Sequence, residues 1–309
     1  MDTLAVVLEA PERLALRRLE MLPLGPGDVL VEIDWSGIST GTEKLLWTGR
    51  MPAFPGMGYP LVPGYESVGR IVDAGADAAG RIGERVFVPG ANCYREARGL
   101  FGGSARRVIV AAARALPIAE SLGRDGILIA LAATAHHAID QGAPPELIIG
   151  HGILGRLIAR MTIALGASPP LVWETRADRR DGDGYAVIDP DDDDSGRYAT
   201  ICDASGAAAV LDPAIARLGK GGEIVLAGFY DRLSFAFAPA FQREARLRIA
   251  AEFTPRDLAA TRTLIDTGLL ELDGLISHVR GAAEAEAAYT TAFTDPACLK
   301  MVLDWRLAA

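Results

Sequence analysis

The clearest periodicity in the chain is the two-residue alternation of Val29–Trp35 (VLVEIDW), apolar and polar by turns, as in a strand with one buried face. Leu4–Leu8 (LAVVL) is a shorter apolar strand candidate. Ser67–Ala74 and Arg85–Val88 are two more, separated by the Gly/Ala-rich turn Gly75–Gly83. Gly25–Asp28 supplies turn chemistry ahead of the alternating run. Pro52–Gly64 (PAFPGMGYPLVPG) holds four prolines and three glycines, which excludes regular helix and central strand. It reads either as a surface connection or as a loop carrying Phe54, Met57 and Tyr59 to an apolar ligand.

From Ser121 the pattern changes. Gly126–Gln141 is apolar and helical, and Leu147–Ile149 is a short strand ending in glycine. Helix Arg156–Leu165, strand Leu171–Trp173, strand Ala186–Ile188, strand Tyr198–Asp203, helix Ala207–Leu218 and strand Glu223–Ala227 continue the rhythm. Such alternation predicts a doubly wound α/β domain on a parallel sheet. Thr254–Thr267 is a further helix, and the tail from Ala282 reads as mostly helical.

Within that region Gly150-His151-Gly152-Ile153-Leu154-Gly155 matches G-x-G-x-x-G between a strand and a helix, the context that gives this motif its meaning. Gly150 permits the tight turn, Gly152 lets backbone approach a pyrophosphate, and Gly155 lets helix pack on strand. The helix start offers unpaired N–H groups to the phosphates. Glu174 ends the next strand about 20 residues further on, where a carboxylate accepts from a ribose 2′-OH and repels a 2′-phosphate. That favours NAD. Arg176, Arg179 and Arg180 just beyond are the contrary signal, able to clamp a phosphate.

Composition narrows the class. The 309 residues are 50% hydrophobic and 23% charged, an ordinary globular balance, and the length fits about two domains. The longest apolar run, Ile127–Ala135, falls short of the ~20 residues that cross a bilayer, and no basic leader opens the chain. A net charge of −9 opposes nucleic acid and anionic lipid as partners. Cys93, Cys202 and Cys298 are far apart without a CxxC, as in a reduced cytoplasmic protein with no zinc ribbon. Asp189–Asp194 invites a calcium-loop reading, but the twelfth position from Asp191 is Cys202 rather than Glu, so a solvated acidic loop is expected.

Gly37-Ile-Ser-Thr-Gly-Thr-Glu43, Pro63-Gly-Tyr-Glu-Ser-Val-Gly69, Thr134-Ala135, the glycine fingerprint, Asp203-Ala-Ser-Gly206 and Gly219–Gly228 together resemble the medium-chain dehydrogenase/reductase family over essentially the whole chain. The resemblance implies a chaperonin-10-like β-barrel catalytic domain over 1–120 and 270–309, and a Rossmann domain over 121–269. It also implies cofactor contacts at Thr134, Ser205, Gly228 and Phe229. Zinc-dependent members carry Cys, His and a third ligand where this chain has Ser39-Thr40 with one extra residue, Tyr65 and Ala130. Hydroxyls and alanine do not bind Zn²⁺, so no metal is expected. The run Ser36–Arg70 resembles a zinc-free member that oxidises the 1-hydroxyethyl group of a magnesium tetrapyrrole, a bacteriochlorophyllide, to acetyl with NAD⁺. Two other readings stay open, an NADPH-dependent quinone or enone reductase and a nucleotide-binding non-enzyme. A homo-dimer is a candidate assembly.

Alcohol oxidation without zinc asks a side chain to polarise the hydroxyl and take its proton. Tyr65, at a zinc-ligand position, serves as a hydrogen-bond partner, or as a base if a nearby cation lowers its pKa; the alternative is a packed aromatic. Thr42 stands at the family's proton-relay hydroxyl, and Ser39 and Thr40 either orient the substrate or bond their own turn. His136 and His137 follow the Thr-Ala pair. Adjacent helical residues do not share a face, so at most one is expected at the site. His278 is expected to cap or pack, His151 to lend only its backbone, Glu66 to pair with an arginine or backbone amides, and Lys44 to be solvated or to attract a propionate. Trp47, Met51, Phe54, Met57, Tyr59, Phe229 and Tyr230 are candidate walls for a flat tetrapyrrole, and one histidine is a candidate for its Mg²⁺.

Overall fold

The computed structural model describes residues 1–307. In chain order the elements are β1 (Asp2–Ala10), β2 (Arg13–Glu20), β3 (Asp28–Ile38), α1 (Thr42–Trp47), β4 (Leu61–Val62), β5 (Ser67–Ala74), β6 (Arg85–Val88), β7 (Arg98–Gly99), β8 (Arg107–Ala111), β9 (Leu116–Pro117), α2 (Ile129–Asp140), β10 (Leu147–Ile149), α3 (Ile153–Ala164), β11 (Leu171–Trp173), β12 (Val187–Ile188), β13 (Tyr198–Asp203), α4 (Leu211–Arg217), β14 (Leu218–Leu226), α5 (Phe237–Arg243), β15 (Arg246–Ile249), α6 (Pro255–Asp266), β16 (His278–Gly281), α7 (Ala285–Thr294) and β17 (Met301–Asp304). Among the described residues no helix is long and apolar enough to cross a membrane.

The chain divides into two compact units. One is Met1–Ala130 with the stretch from Leu272, and the other is Leu131–Glu271. The first boundary falls ten residues later than the change of sequence texture at Ser121. The reason is that the 3₁₀ segment Glu120–Leu128 belongs to the first unit's packing, with Ile127 and Leu128 fully buried.

The first unit has a core built mainly of strands, with Ala288 and Tyr289 of α7 packed into it. A seven-stranded sheet runs β16-β17-β3-β5-β6-β9, with β8 also on β3, and a four-stranded sheet runs β2-β1-β4-β7. The alternating run Val29–Trp35 is the middle of β3, whose Val29, Val31 and Ile33 are fully buried. The tail departs from expectation. It holds only the short helix α7, and then Met301–Asp304 forms a wholly buried strand pairing antiparallel with β3. A run such as MVL pairs readily once two neighbours flank it, and β3 and β16 do so.

The second unit is a parallel sheet in the order β12-β11-β10-β13-β14-β15. Sequence order therefore reverses at β10, the switch point beside which ligands bind in open α/β sheets. Ile149 of β10 pairs with Trp173 and with Asp203, so the residues that follow each strand (Gly150, Glu174, Ala204) emerge together at one sheet end. The expected helix Gly126–Gln141 is a 3₁₀ segment followed by α2, and β14 starts five residues before Glu223. Asp189–Asp194 is only partly a solvated loop. Asp193 is buried and accepts from Trp173 Nε1 (2.9 Å), Tyr198 Oη (2.7 Å) and the Ser195 amide (2.8 Å), which hold its carboxyl below the usual range.

Candidate functional site

Register brings the first unit's candidate chemistry together. Met301 of β17 lies opposite Ile38, and Ser67 of β5 lies opposite Ser36. Lys300 and Glu66, one residue before each strand, therefore converge on Gly37. The two form a fully buried ion pair. A methyl group on Gly37 would run into the Glu66 carboxylate and the Lys300 chain, so glycine is required there by this pair. Glu66 Oε1 has no hydrogen-bond partner among the described residues. The expectation of an arginine beside Glu66 is corrected to a lysine from the far end of the chain.

Beyond Gly37 the chain turns into α1. The Tyr65 hydroxyl donates to Ser39 Oγ at 2.8 Å, and its ring meets Phe101 edge-on at 5.4 Å. The Ser39 amide donates to Glu43 Oε1 (3.1 Å), and the Tyr289 hydroxyl of α7 donates to Glu43 Oε2 (2.6 Å). Glu43 is completely buried. Burial, and then the neighbouring Glu66 charge, push its carboxyl up to about 7 against the pull of Tyr289 and Ser39. Burial also raises Glu66, with Lys300 opposing. Tyr65 is raised by burial and by both carboxylates. The cation that would have made the phenol a base is bound to Glu66, so Tyr65 is a protonated donor at neutral pH. Residues 39, 40, 65 and 130 present hydroxyls and a methyl group, a donor set that does not suit Zn²⁺.

Other candidate side chains of this unit have structural partners. Trp47, Met51, Met57 and Tyr59 pack on a small core of Leu8, Leu46, Leu61 and Leu100. The Tyr59 hydroxyl bonds the Leu46 carbonyl, while Phe54 is exposed. Lys44 donates to the Phe293 carbonyl (2.9 Å) rather than being simply solvated. His278 Nδ1 lies 2.8 Å from Ser277 Oγ. Cys93 is buried.

The second unit assembles the dinucleotide candidates. Gly150 has φ 94°, a conformation glycine adopts without strain, and a Cβ there would touch Ser205. A methyl group on Gly155 would strike the Gly150 carbonyl, so α3 sits as close to the loop as glycine allows. Gly152, the N-cap of α3, has open space on its Cβ side. The first-turn amides of Ile153, Leu154 and Gly155 have no helical partner. These features fit a pyrophosphate cradle. Glu174 accepts from the His151 amide (3.1 Å) and the Arg176 amide (2.9 Å), which ties β11 to the glycine loop. Gly228 packs against Gly206 beside Ser205. Phe229 is half exposed, and the Tyr230 hydroxyl donates to Asp203 Oδ2 (2.5 Å). The His151 imidazole reaches the Arg179 carbonyl (2.6 Å) and Tyr185 Oη (2.8 Å), pinning the loop, and burial lowers its pKa.

His136 and His137 both reach one carboxylate. His136 Nδ1 lies 2.7 Å from Asp257 Oδ1, and His137 Nδ1 lies 3.0 Å from Oδ2. Both reach it because the two oxygens of Asp257 spread far enough to meet neighbouring residues of α2. Asp257 also accepts from Thr254 as the N3 residue of the α6 capping box. Asp140 is near His136 and Asp257, but the Asp257 oxygens are already spent, which leaves this group poorly suited to a cation.

The comparisons with known proteins follow this geometry. Residues 25–120 match the Alcohol dehydrogenase GroES-like domain. The chain is 56% identical over 311 aligned residues, covering 99% of both chains, to the 2-desacetyl-2-hydroxyethyl bacteriochlorophyllide A dehydrogenase of Rhodobacter capsulatus. The chain belongs to this dehydrogenase family. It is thus an oxidoreductase of the alcohol dehydrogenase type, with a GroES-like unit and a Rossmann unit. Among solved structures, a dehydrogenase of Sinorhizobium meliloti 1021 bound to NADP superposes with TM-score 0.83 at 21% identity, covering 98% of this chain and 99% of that one. An alcohol dehydrogenase of Escherichia coli CFT073 complexed with NADH gives 0.84 at 19%, with the same coverage.

In this member of the bacteriochlorophyllide dehydrogenase family, sequence reading missed Glu43, Lys300, Tyr289 and Asp257. Glu43 had a signal, an acid inside the motif that carries Ser39 and Thr42. The other three are isolated residues whose partners only the fold reveals.

Proposed function

We propose that this chain oxidises the hydroxyethyl substituent of a bacteriochlorophyllide to an acetyl group, with NAD⁺ as acceptor and without zinc. The observation that carries the reading is the Tyr65–Ser39 hydroxyl pair, 2.8 Å apart and backed by buried charge, at the positions where zinc-dependent relatives need metal ligands. Identity of 56% with a named dehydrogenase of that substrate supports the choice of alcohol.

The dinucleotide, when bound, supplies the hydride acceptor. The loop Gly150–Gly155 would hold its pyrophosphate, and Glu174 its adenosine ribose. Glu174 favours NAD, and two nearby arginines are already engaged: Arg180 with Asp189, and Arg176 with Asp178 (2.5 Å). On the substrate side, the Tyr65 phenol, kept protonated, donates to the alcohol oxygen and fixes its direction, and the alcohol's own hydroxyl proton passes to solvent water. Ser39 Oγ accepts from that phenol in the substrate-free protein and would donate to the phenol oxygen once its proton turns to the substrate. Thr42 is the next hydroxyl along, in the first turn of α1. Phe54 and Phe229, both exposed, are apolar surfaces suited to a flat macrocycle. The acidic surface and buried cysteines suit a cytoplasmic setting. The edge strand β15 and helix α5 carry Ile249, Phe237 and Phe241, 75%, 72% and 70% exposed, which suits a homo-dimer.

The test is an anaerobic assay with 2-desacetyl-2-hydroxyethyl bacteriochlorophyllide a and NAD⁺ or NADP⁺, with and without chelator, following the red absorption band and NADH together. NAD⁺-dependent conversion to the acetyl product, indifferent to chelator, is expected. No turnover in protein that still binds NAD⁺ would overturn the substrate, and loss of activity on chelation would overturn the zinc-free reading.

A further inference from the structure

Three polar residues surround Glu43 from separate parts of the first unit. Tyr289 reaches it from α7, the Ser39 amide from the end of β3, and Tyr65 stands on the far side of Ser39. The charged groups facing it are Glu66 ahead of β5 and Lys300 ahead of β17, themselves paired. The cluster is shut off from solvent: Glu43, Glu66, Ser104, Tyr289 and Lys300 are each at most 1% exposed. A carboxyl so placed has only two donors, and its charge acts through low dielectric on the phenol beyond Ser39.

We propose that Glu43 is a positioning residue for alcohol oxidation: its buried carboxyl group, held between the Tyr289 hydroxyl and the Ser39 amide, sets through its own charge how strongly the Tyr65 phenol donates to the reacting oxygen. Ionised Glu43 holds the phenol's proton tightly, and protonated Glu43 releases the phenol to donate more strongly. Because burial brings the Glu43 carboxyl to about 7, this change falls at neutral pH. The inference rests on Tyr65 meeting the substrate, as proposed above, but its physical part concerns only Glu43 and Tyr65.

The test therefore has an arm without substrate. In protein labelled with ¹³C at glutamate carboxyl and tyrosine ring carbons, one carboxyl signal titrates near pH 7, and the Tyr65 ring signal (assigned by Tyr65→Phe) moves with the same midpoint. Glu43→Gln removes both transitions, and Tyr289→Phe raises the midpoint by about one unit, since a lost donor disfavours the charged form. With substrate, the kcat profile of the wild type shows the same inflection, and Glu43→Gln lacks it. A Tyr65 signal flat from pH 5 to 9 in the wild type overturns the proposal even if Glu43→Gln does not fold. An inflection that survives Glu43→Gln overturns it equally. Coupled titration without turnover would instead count against the substrate assignment alone.

Discussion

In the first unit Glu66 is buried against one cation, and an oxygen is left without a hydrogen bond, while Glu43 beside it has two donors for a whole carboxyl group. In the second unit Asp257, also buried, collects His136, His137, the Thr254 hydroxyl and the Thr254 amide. The two regions reach opposite results. Desolvation dominates the first pair, which lies further from the surface, and raises their pKa values, while hydrogen bonds outweigh a smaller desolvation at Asp257 and hold it down at about 2. Depth and the number of donors together decide how a buried acid behaves. The under-satisfied region is also the one that carries the hydroxyl pair proposed to meet substrate, as expected where stability is exchanged for chemistry.

The contrast predicts its largest effect at Lys300. Lys300→Met removes the counterion that the described residues give to buried Glu66 and is expected to cost about 3–5 kcal/mol, on the order found for broken buried pairs. The double variant Glu66→Met/Lys300→Met is expected to recover most of that, because two apolar side chains of similar volume need no desolvation. Urea midpoints of the four proteins decide it. A single variant as stable as the wild type would mean that Glu66 is already neutral and that the pair holds no charge.

Next in size are two opposed pH limbs. Glu43 has a folded pKa of about 7 against an ordinary 4.5, so its contribution is present below about 4.5 and lost as pH rises through 7, amounting to about 3 kcal/mol. Asp257 has a folded pKa of about 2 against 3.8, so its contribution is present above about 4 and lost as pH falls through 2, amounting to about 2 kcal/mol. Stability measured against pH should have a shallower upper slope in Glu43→Gln, where Glu66 still contributes, and lose its lower slope in Asp257→Asn, each leaving the other slope intact. If both variants flatten the same limb, the two regions are not the opposites described here.

The same contrast explains what could be read from sequence. The second unit's glycine loop is local. Strand, turn, helix and the acid one strand on are all spelled within Leu147–Glu174, and the register of β10 with β11 carries that spacing into space. The first unit's charged cluster is non-local. Glu43 meets Tyr289 across 246 positions, and Glu66 meets a lysine standing before a strand that sequence read as helical tail. Ser39 and Tyr65 were legible as hydroxyls in place of metal ligands, but the sign of Tyr65's acidity was not, because it depends on which charges arrive from β5 and β17. His136 and His137 looked like chemistry for a related reason. Nothing near them in sequence announces Asp257, whose capping box at Thr254 reads first as a helix start.

The smallest expected effect lies in the local motif and sharpens the comparison from its better-satisfied side. Glu174 accepts two backbone amides, so its carboxylate both fixes the loop and offers charge to a ribose. Glu174→Gln keeps one acceptor oxygen and removes the charge. Discrimination between NAD⁺ and NADP⁺, measured as the ratio of kcat/KM, should narrow roughly tenfold, about 1.4 kcal/mol, with a stability loss smaller than that of Lys300→Met. Both effects are modest because one of the two amides keeps its acceptor and the arginines beyond remain tied to Asp178 and Asp189. If the cofactor ratio stays fixed while stability falls, the carboxylate serves the loop alone, and selectivity must come from groups that approach the ribose from elsewhere. A shift far beyond tenfold would mean that Arg176 or Arg180 leaves its aspartate to take the 2′-phosphate once the opposing charge is gone, so that those pairs compete with ligand.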